Sequence, residues 1–278
     1  MIDTIIEWLA SHGLRILIII ILGFLLDKTI DRFADKAIKK YVNKKQKDRD
    51  QAEIEERAKT LSDVFNTTTT VVVFIIVILM ILPELGIAIA PLIAGAGIIG
   101  LAVGFGAQNL VRDYLVGLFI IIEDQYAIGD VVRVGDITGQ VEILNLRRTA
   151  LRDLDGIQHN IPNGEVKIAS NYTKDWSRIN LDVPVSYSSD IDKVTAILNR
   201  VGKELAEDPQ YKDFLLEAPQ VLGLDRFGES EIVLKMLGKT KPLKQWDMTR
   251  ELRKRIKKTF DQEGIEIPFP QRVIHQEK

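Results

Sequence analysis

The stretch PLIAGAGIIGLAVGFGA, residues 91–107, decides how the rest of this sequence is interpreted. It carries no charge, and nine of its 17 residues are Gly or Ala. A soluble core does not require such a loss of side-chain bulk, whereas helices inside a membrane use small residues to approach one another closely. The stretch therefore predicts a transmembrane helix over residues 91–108 whose backbone packs against other helices.

Two more spans are predicted upstream, within a transmembrane domain over residues 1–127. Residues 64–82 hold 19 positions without a charge, which at about 1.5 Å per residue matches the roughly 30 Å hydrocarbon layer. A first span over about residues 5–28 is weaker, because Glu7 and Arg15 interrupt it and have to lie near the outer interface. A buried helix of a soluble domain is the alternative for this first segment, since short apolar runs are ambiguous.

The charges of the loops predict the orientation. Residues 28–59 contain 11 Lys or Arg side chains, while the link over residues 83–91 contains none. By the positive-inside rule the first loop is cytoplasmic, so the N-terminus lies outside and everything after the third span is cytoplasmic. We expect a multi-pass protein of the cell (inner) membrane. The N-terminus lacks a basic leader, so no removable signal peptide is expected.

Composition and motifs argue against an enzyme. The net charge is −2 and there is no Cys, which removes thiol nucleophiles, disulfides and Cys-based metal sites. The histidines, His12, His159 and His275, lie far apart in sequence, and neither an HExxH pair nor a GxSxG elbow occurs. GAGIIG, residues 95–100, has the spacing of a dinucleotide-binding loop, but more Gly and Ala follow it in place of an ordinary amphipathic helix. We expect no cofactor and no metal.

The arrangement of small and large residues on the glycine-rich helix predicts a ring of copies. Leu101 and Phe105 are four residues apart and share one face. Two edges of small residues flank this face, one of glycine and one mostly of alanine. Two different edges favour head-to-tail packing of one copy against the next around an axis. Leu101 and Phe105 then form a dry constriction at the axis that blocks ions by dewetting. The alternative is a helix packed tightly inside one monomer. The glycine edge comprises Gly97, Gly100 and Gly104, and the mostly alanine edge comprises Ala94, Ile98 and Ala102.

After the constriction the sequence predicts a bend. Asn109 interrupts the apolar helix, and Arg112-Asp113-Tyr114 introduces polarity before another apolar run. We expect an interfacial amphipathic helix over residues 110–127, with a kink at Asn109 and with close packing at Gly117, which also serves as a hinge position. One straight long helix is the alternative.

The remaining residues predict a soluble cytoplasmic body. Residues 128–177 alternate apolar and polar positions between turn residues, which indicates a small β-barrel. Sm-like RNA binders have such barrels, but no aromatic stacking set accompanies the basic residues here and acids follow them directly, so no nucleic acid is expected. The basic residues are Arg147, Arg148 and Arg152, and the acids are Asp153 and Asp155. Residues 178–265 follow a βαββαβ order, which suggests an α+β ferredoxin-like domain, and residues 266–278 suggest a C-terminal strand that contributes to a terminal barrel.

Two longer motifs connect these predictions. GLAVGFGAQNLVRDYLVG, residues 100–117, resembles the pore helix of the small-conductance mechanosensitive channel (MscS) family. The run IGDVVRVGDITGQVEILNLRRTALRDLDGIQHNIPNGEV, residues 128–166, resembles the cytoplasmic β domain of that family. The resemblance implies a homoheptamer with three transmembrane helices per subunit, opened by membrane tension, above a hollow vestibule with side openings. Membrane lipids, permeating ions and small solutes, and further copies of the chain are then its partners.

The resemblance also assigns roles to single positions. Leu101 and Phe105 match the two pore-occluding residues of the family, and the residues flanking them match its glycine and alanine edges. Three positions depart from the family pattern: Phe105 stands where Leu is usual, Ile98 where a small residue is expected, and Asn109 where the kink is often Gly. The alternative function is a non-conducting membrane-anchored scaffold or an Sm-like RNA-binding adaptor.

Overall fold

The computed structural model describes residues 12–45 and 51–274. The chain divides into two compact units, one up to Gly106 and one from Ala107 onward. Residues 5–11 of the first predicted span and residues 275–278 of the predicted C-terminal strand, His275 included, lie outside the described residues.

The first unit is built from helices. Helix α1 covers Leu14–Lys45 and α2 covers Gln51–Ile81. Helix α3 covers Ala90–Ile122, and its first half, up to Gly106, completes the unit. Between α2 and α3 a 3-10 turn, Leu82–Leu85, is ended by Gly86. The φ of Gly86 is 78°, a left-handed conformation that glycine adopts without steric cost.

Helices α1 and α2 pack as an antiparallel pair. At one end His12 Nδ1 lies 2.6 Å from Glu84 Oε2, and further along Asn66 donates to the Asp35 carboxylate over 3.2 Å. Between these contacts the two backbones approach closely, because a Cβ added to Gly23 would collide with the Val77 side chain. The opposite end of the pair is closed by a small apolar cluster of Val42, Ile54 and Ala58, with Ile38 packed against it.

Two helical segments of the described chain are long and apolar enough to cross a membrane, Ala52–Leu85 and Ala90–Ile122. They contain the second and third predicted spans. The first predicted span is not among them. Its described part is an uninterrupted apolar run of only 11 residues between Arg15 and Asp27, and a crossing helix needs about 20.

The second unit contains a five-stranded antiparallel sheet. Its strands are β1 Val131–Val134, β2 Ile137–Leu144, β3 Arg148–Arg152, β4 Gln158–Pro162 and β5 Ala169–Asn171, in the order β4-β3-β2-β1-β5. Val132, Val141 and Leu151 are buried on one face and form a core with Ile120 and Tyr126. The strands β4 and β5 are the edges of this sheet, so its closure into a barrel stays a prediction.

An α/β layer follows in the same unit. It consists of β6 Ser177–Val185, α4 Ile191–Glu207, β7 Leu215–Phe227, β8 Ile232–Thr240 and α5 Gln245–Glu263, with the antiparallel sheet order β6-β8-β7. Side chains of β6 alternate between buried and exposed because successive strand residues point to opposite faces. Each helix buries one stripe against the sheet, for example Leu198 and Leu205 of α4 and Leu252 and Phe260 of α5.

The last strand of the predicted βαββαβ order is absent from residues 265–274. The predicted strand at Ile265 is therefore wrong for the chain taken alone. A strand needs a continuous partner for its backbone groups, and here the backbone contacts are scattered. The Ser186 amide donates to the Glu266 carbonyl over 3.2 Å, and the Gln271 amide donates to the Ser230 hydroxyl over 2.9 Å. Pro268 and Pro270 lack a backbone donor, which further weakens pairing within one chain.

Helix α3 runs without interruption through Asn109 and ends at Ile122. The predicted helix over residues 110–127 is therefore too long by five residues. Its end follows from Asp124, which has a φ of 49°, and from Tyr126, which leaves the helix and is buried in the core of the five-stranded sheet. The kink at Asn109 stays a prediction.

Candidate pore helix and its anchorage

The first half of α3 is exposed along its whole length. Every residue from Pro91 to Gly106 is exposed within the described chain, including Leu101 at 64% and Phe105 at 74%. Soluble monomers rarely leave so large an apolar surface uncovered. This half of the helix is therefore suited to contact lipid, other protein copies, or both.

The glycines of this half do not serve packing within the described chain. A Cβ added to Gly97, Gly100 or Gly104 would meet no atom within 4 Å. Each glycine in a helix interior costs about 1 kcal/mol relative to alanine, so five of them in one segment are unfavourable without a compensating contact. The open space beside them argues against the alternative of a helix packed tightly inside one monomer and supports a partner outside the chain.

The second half of α3 is packed tightly against the five-stranded sheet. A Cβ added to Gly117 would collide with the Leu146 carbonyl oxygen and with the Asn163 amide nitrogen. Only glycine allows the helix backbone to approach this closely. Ile120, one turn further along, is buried in the sheet core, so the helix enters that core as one of its elements.

A charged side chain fastens the same half to the loop after β4. Asp113 is only 8% exposed, and its Oδ1 accepts a hydrogen bond from the Gly164 backbone amide over 2.9 Å. A Cβ added to Gly164 would lie 2.6 Å from that oxygen. Glycine at this position therefore lets the loop approach the carboxylate, and a hydrogen bond to a charged group is among the stronger polar contacts in a protein.

A buried polar network lies beneath this contact. The Thr149 hydroxyl donates to Asn163 Oδ1 over 2.9 Å, and Asn163 Nδ2 donates to the Asn145 carbonyl over 2.8 Å. Because the Thr149 proton is used in this way, the Tyr126 hydroxyl, 3.0 Å from Thr149 Oγ1, donates to it. Burial raises the pKa of the Tyr126 phenol, so the donor form is favoured. The network fixes the loop that holds Gly164.

The predicted pore residues and this anchorage lie on one helix, and of the anchorage the sequence predicted only the close packing at Gly117. Leu101, Phe105 and the small residues beside them are accessible for contacts outside the chain. The sequence did not predict that Asp113 accepts a hydrogen bond from the loop after β4, or that Thr149 and Asn163 are hydrogen-bonded to each other. The available signals were the Asn163-Gly164 pair, whose residue types are typical of a turn, and the isolated acid between apolar residues of α3.

Two of the three arginines considered as a phosphate patch, Arg148 and Arg152, have side-chain partners in the protein. Arg152 Nη2 donates to Glu142 Oε2 over 2.9 Å, and Arg148 donates to the Asn160 side chain. The hydrogen bonds from Arg152 lower the pKa of the Glu142 carboxyl, which keeps the pair charged. These contacts favour a structural role for both arginines.

Sequence comparison assigns consecutive parts of the chain to one family. Residues 67–108 match the family described as "Mechanosensitive ion channel, transmembrane helices 2/3". Residues 109–174 match "Mechanosensitive ion channel, beta-domain", and residues 179–267 match "Mechanosensitive ion channel MscS, C-terminal". The first boundary falls at Asn109, within α3.

Relatives and solved structures agree with this assignment. The chain is 40% identical over 194 residues to "Small-conductance mechanosensitive channel" of Caldanaerobacter subterraneus, an alignment that covers 70% of this chain and 68% of that protein. It is 33% identical over 212 residues to "Moderate conductance mechanosensitive channel YbiO" of Escherichia coli, covering 76% of this chain and 29% of that longer protein. The closed-state crystal structure of Helicobacter pylori MscS superposes with a TM-score of 0.69 at 23% identity, covering 96% and 98% of the two chains, which shows the fold.

The fold and the exposed glycine-rich helix define an MscS-like membrane protein, with helices first and β-containing domains after them. The family that matches the C-terminal part of the chain is one of mechanosensitive ion channels. The chain belongs to the MscS family of mechanosensitive ion channels.

Proposed function

We propose that this chain is the subunit of an ion channel that membrane tension opens, and that it releases ions and small osmolytes on hypo-osmotic shock. The observation that carries the proposal is the exposed first half of α3, an apolar helix with glycines that face open space. The names of the relatives from Caldanaerobacter and Escherichia coli, both mechanosensitive channels, support it.

The proposed assembly is a homoheptamer in the inner membrane, with three transmembrane helices in each subunit. The first crossing uses residues 5–28, so the N-terminus lies outside and the second unit is cytoplasmic. The glycine edge of one α3 packs against the alanine edge of the next, where Gly97, Gly100 and Gly104 meet Ala94, Ile98 and Ala102. This contact supplies the partner that the glycines lack within the described chain.

In this ring Leu101 and Phe105 project toward the axis and form the closed constriction. Their side chains are large and apolar, and a narrow ring of such groups expels water and blocks ions without a plug. Asn109 and Gly117 are the proposed hinge positions. Since Gly117 is held against the sheet, a hinge motion is expected to move the first half of α3 relative to an anchored second half.

Tension opens the pore because the open ring occupies more membrane area. The work done by tension is proportional to this area difference, so tension acts like a ligand that prefers the wider state. Moving the population from 1:99 to 99:1 takes about 5.5 kcal/mol of differential work per complex. Smooth edges of Gly against Ala lower the steric barrier to helix sliding during this change.

The cytoplasmic unit is proposed to form the vestibule. Five strands in the order β4-β3-β2-β1-β5 are suited to curl into a small Sm-like barrel, and β6 through α5 form most of a ferredoxin-like layer. Residues 266–278 find strand partners in neighbouring copies and close a terminal barrel. Ions and small solutes enter through openings between subunits.

The direct test is pressure-clamp recording of the purified protein in plain lipid. We expect steps of current that appear when suction stretches the patch and disappear when it is released. A reconstituted, correctly assembled protein that stays silent up to the rupture tension of the patch would contradict the proposal and favour a non-conducting scaffold.

A further inference from the structure

A polar segment interrupts the apolar contact between α1 and α2. On one side of this segment the helices meet closely at Gly23 and Val77, and on the other side they meet at the cluster of Val42, Ile54 and Ala58. The facing residues between these two contacts are polar on both helices. We call this group the polar seam, and it comprises Asp27, Asp31 and Asp35 of α1 and Ser62, Asn66 and Thr70 of α2.

The three acids of the polar seam lie one turn apart on the side of α1 that faces α2. Asp27 Oδ1 accepts a hydrogen bond from the Thr70 hydroxyl over 3.0 Å, and Asp35 Oδ1 accepts one from Asn66 Nδ2 over 3.2 Å. Asp31 lies midway between these two acids, so it faces the turn of α2 between Asn66 and Thr70. Both contacts are with neutral groups, which leave the negative charge of the acids uncompensated.

The basic residues of the same segment do not neutralise these acids. Lys28, Arg32 and Lys36 each follow an acid of the polar seam by one position, so they point to another side of α1, where all three are exposed. None of the acids has an ion-pair partner among residues 12–45 and 51–274. All of them are partly buried. Burial removes water that stabilises a carboxylate, so a cation beside these acids would stabilise the helix pair.

Three buried oxygens of the polar seam have no hydrogen-bond partner in the described part of the chain. They are Asp31 Oδ1, Asn66 Oδ1 and Ser62 Oγ. Ser62 is only 7% exposed, yet it does not donate to the carbonyl four residues before it, as the Thr68 hydroxyl of the same helix does. Ser62 lies one turn from Asn66 and one turn from Ala58, both of which face α1, so its hydroxyl belongs to the seam.

The chemistry of these oxygens fits a monovalent cation. The Asp31 carboxylate and the Asn66 amide oxygen are both acceptors, so neither satisfies the other. A water molecule can donate to both but leaves the carboxylate charge uncompensated, whereas a hard cation, which prefers oxygen ligands, satisfies both oxygens and the charge. No three carboxylates or imidazoles converge on one point within residues 12–45 and 51–274. One carboxylate with neutral oxygens matches a single positive charge better than Ca²⁺, which takes six to eight oxygens.

We propose that the polar seam binds one Na⁺ or K⁺ ion between α1 and α2. Asp31 is the charged ligand, the Asn66 amide oxygen is a neutral ligand, and Ser62 supplies a hydroxyl oxygen from the next turn of α2. The bound ion bridges the two helices at the place where apolar contact is interrupted. The site is separate from the proposed constriction, and the proposal does not depend on conduction.

Hydrogen–deuterium exchange of the full-length protein in detergent tests the proposal. Exchange is followed by mass spectrometry in peptides from residues 27–38 and 58–70, in the chloride salt of Na⁺, of K⁺ or of the bulky organic cation N-methylglucamine, at equal ionic strength. An ion that binds only the packed helices slows exchange through their opening by the factor 1 + [L]/Kd. In Na⁺ or K⁺ at about ten times Kd we expect exchange about tenfold slower than in N-methylglucamine. Exchange in α4, Ile191–Glu207, is expected to be equal in all salts.

Two isosteric variants separate a site from general attraction of cations. Asp31→Asn removes the charged ligand, so we expect it to abolish the slowing by Na⁺ or K⁺. Its new amide group can donate to the Asn66 amide oxygen, which keeps the helices packed without the ion. The matched control is Asp63→Asn, which removes the same charge from an exposed position of α2 and is expected to keep the full response. Ser62→Ala is expected to retain the response but to require a severalfold higher ion concentration.

Three results would overturn the proposal. Equal exchange in all salts would show that the polar seam holds no ion and that water completes its hydrogen bonds. Slowing of the same size in Asp31→Asn and in the wild type would place the ion elsewhere. Protection by micromolar Ca²⁺ in an excess of Na⁺ and K⁺ would show that the site takes a divalent ion. The readout needs no tension, so a protein that fails to conduct still gives an answer about the site.

Discussion

The two halves of α3 use glycine in opposite ways. In the first half, Gly97, Gly100 and Gly104 face open space, and in the second half Gly117 is pressed against the Leu146 carbonyl and the Asn163 amide. The second half has found its partner within the chain, whereas the first half requires one outside it. A glycine-rich helix is explained only when its partner is known, and for the first half the proposed partner is another copy of the chain.

The difference in anchorage between the two halves also predicts which part of α3 moves more when the proposed pore opens. The second half is fixed by Gly117, by the Asp113–Gly164 hydrogen bond and by the burial of Ile120 in the sheet core. The glycines of the first half have no such contact within the described part of their own unit. Motion on opening is therefore expected to be larger around Leu101 than around Asp113.

The largest expected effect comes from adding bulk to each half in turn. Gly117→Leu is expected to lower the free energy of unfolding of the second unit by about 3 kcal/mol or more, because a backbone carbonyl cannot move away from the new side chain. Gly104→Leu, the matched change in the first half, is expected to leave that unfolding unchanged and to raise the opening tension or hinder assembly. Thermal unfolding followed by the fluorescence of Trp176 and Trp246, both in the second unit, measures the first effect. Equal losses for the two variants would remove the distinction between the halves.

A smaller effect is expected from the carboxylate that anchors the second half. Asp113→Ala removes the acceptor of the Gly164 amide and leaves that donor unpaired in a partly buried place, which costs about 1 kcal/mol. Asp113→Asn keeps an oxygen acceptor, so we expect less than half of this loss. Chemical unfolding in detergent compares the two variants. Identical stability of Asp113→Ala and the wild type would mean that the hydrogen bond does not hold the helix.

The constriction residues of the first half are expected to act on gating and not on folding. Leu101→Ser or Phe105→Ser makes the constriction easier to wet and removes about 1 kcal/mol or more of closed-state stabilisation per complex. Both variants should therefore open at lower tension while the second unit unfolds at the wild-type temperature. Pressure-clamp recording beside a thermal melt gives both quantities. An unchanged threshold in both variants would place Leu101 and Phe105 away from the lumen.

The smallest expected effect concerns an ion pair between β6 and β8 of the α/β layer. The hydrogen bond from Lys235 lowers the pKa of the Asp182 carboxyl, and the same contact raises the pKa of Lys235. The stability contributed by Asp182 is present above its ordinary pKa of 3.8 and is lost as the pH falls through the lowered value. The stability contributed by Lys235 is present below its ordinary pKa of 10.5 and is lost as the pH rises through the raised pKa.

The pair lies at the surface, with 39% of the Asp182 side chain exposed, so its contribution to stability is small. Asp182→Asn is expected to lower the melting temperature slightly between about pH 5 and 9, and the difference from the wild type should shrink below pH 4, where wild-type Asp182 also becomes protonated. Melting curves of both proteins across this range check the direction. A difference that grows on acidification would contradict the assignment.

The second and third membrane helices, and helices followed by β-containing domains, were predictable because they depend on local patterns. The charge-free Gly and Ala stretch predicts a span, and alternating residues between glycines predict the strands of the β domain. The family assignment, reached from the motifs at residues 100–117 and 128–166, is confirmed. The roles of Leu101, Phe105 and the small residues beside them stay predictions.

Contacts between distant residues account for what the sequence did not predict. Asp113 and Gly164 are 51 positions apart, and no local pattern shows that the isolated acid of α3 meets a loop amide. Tyr126 is apolar enough to extend the predicted helix, yet it belongs to the core of the sheet, and this long-range burial ends α3 at Ile122. The strand predicted at Ile265 is missing for a related reason. A strand forms only where a second segment pairs with it, and the sequence of one segment does not show whether such a partner is present.

The most direct test of the exposed half of α3 uses the absence of cysteine from the sequence. A Leu101→Cys protein carries a single thiol, and a charged, water-soluble thiol reagent is applied to channels held open by tension. If this half of α3 lines a pore shared by several copies, the reagent reduces the current through the open channel and leaves the wild type unaffected. Unchanged current after treatment, together with labelling by a lipid-soluble reagent only, would place Leu101 against lipid and contradict the account.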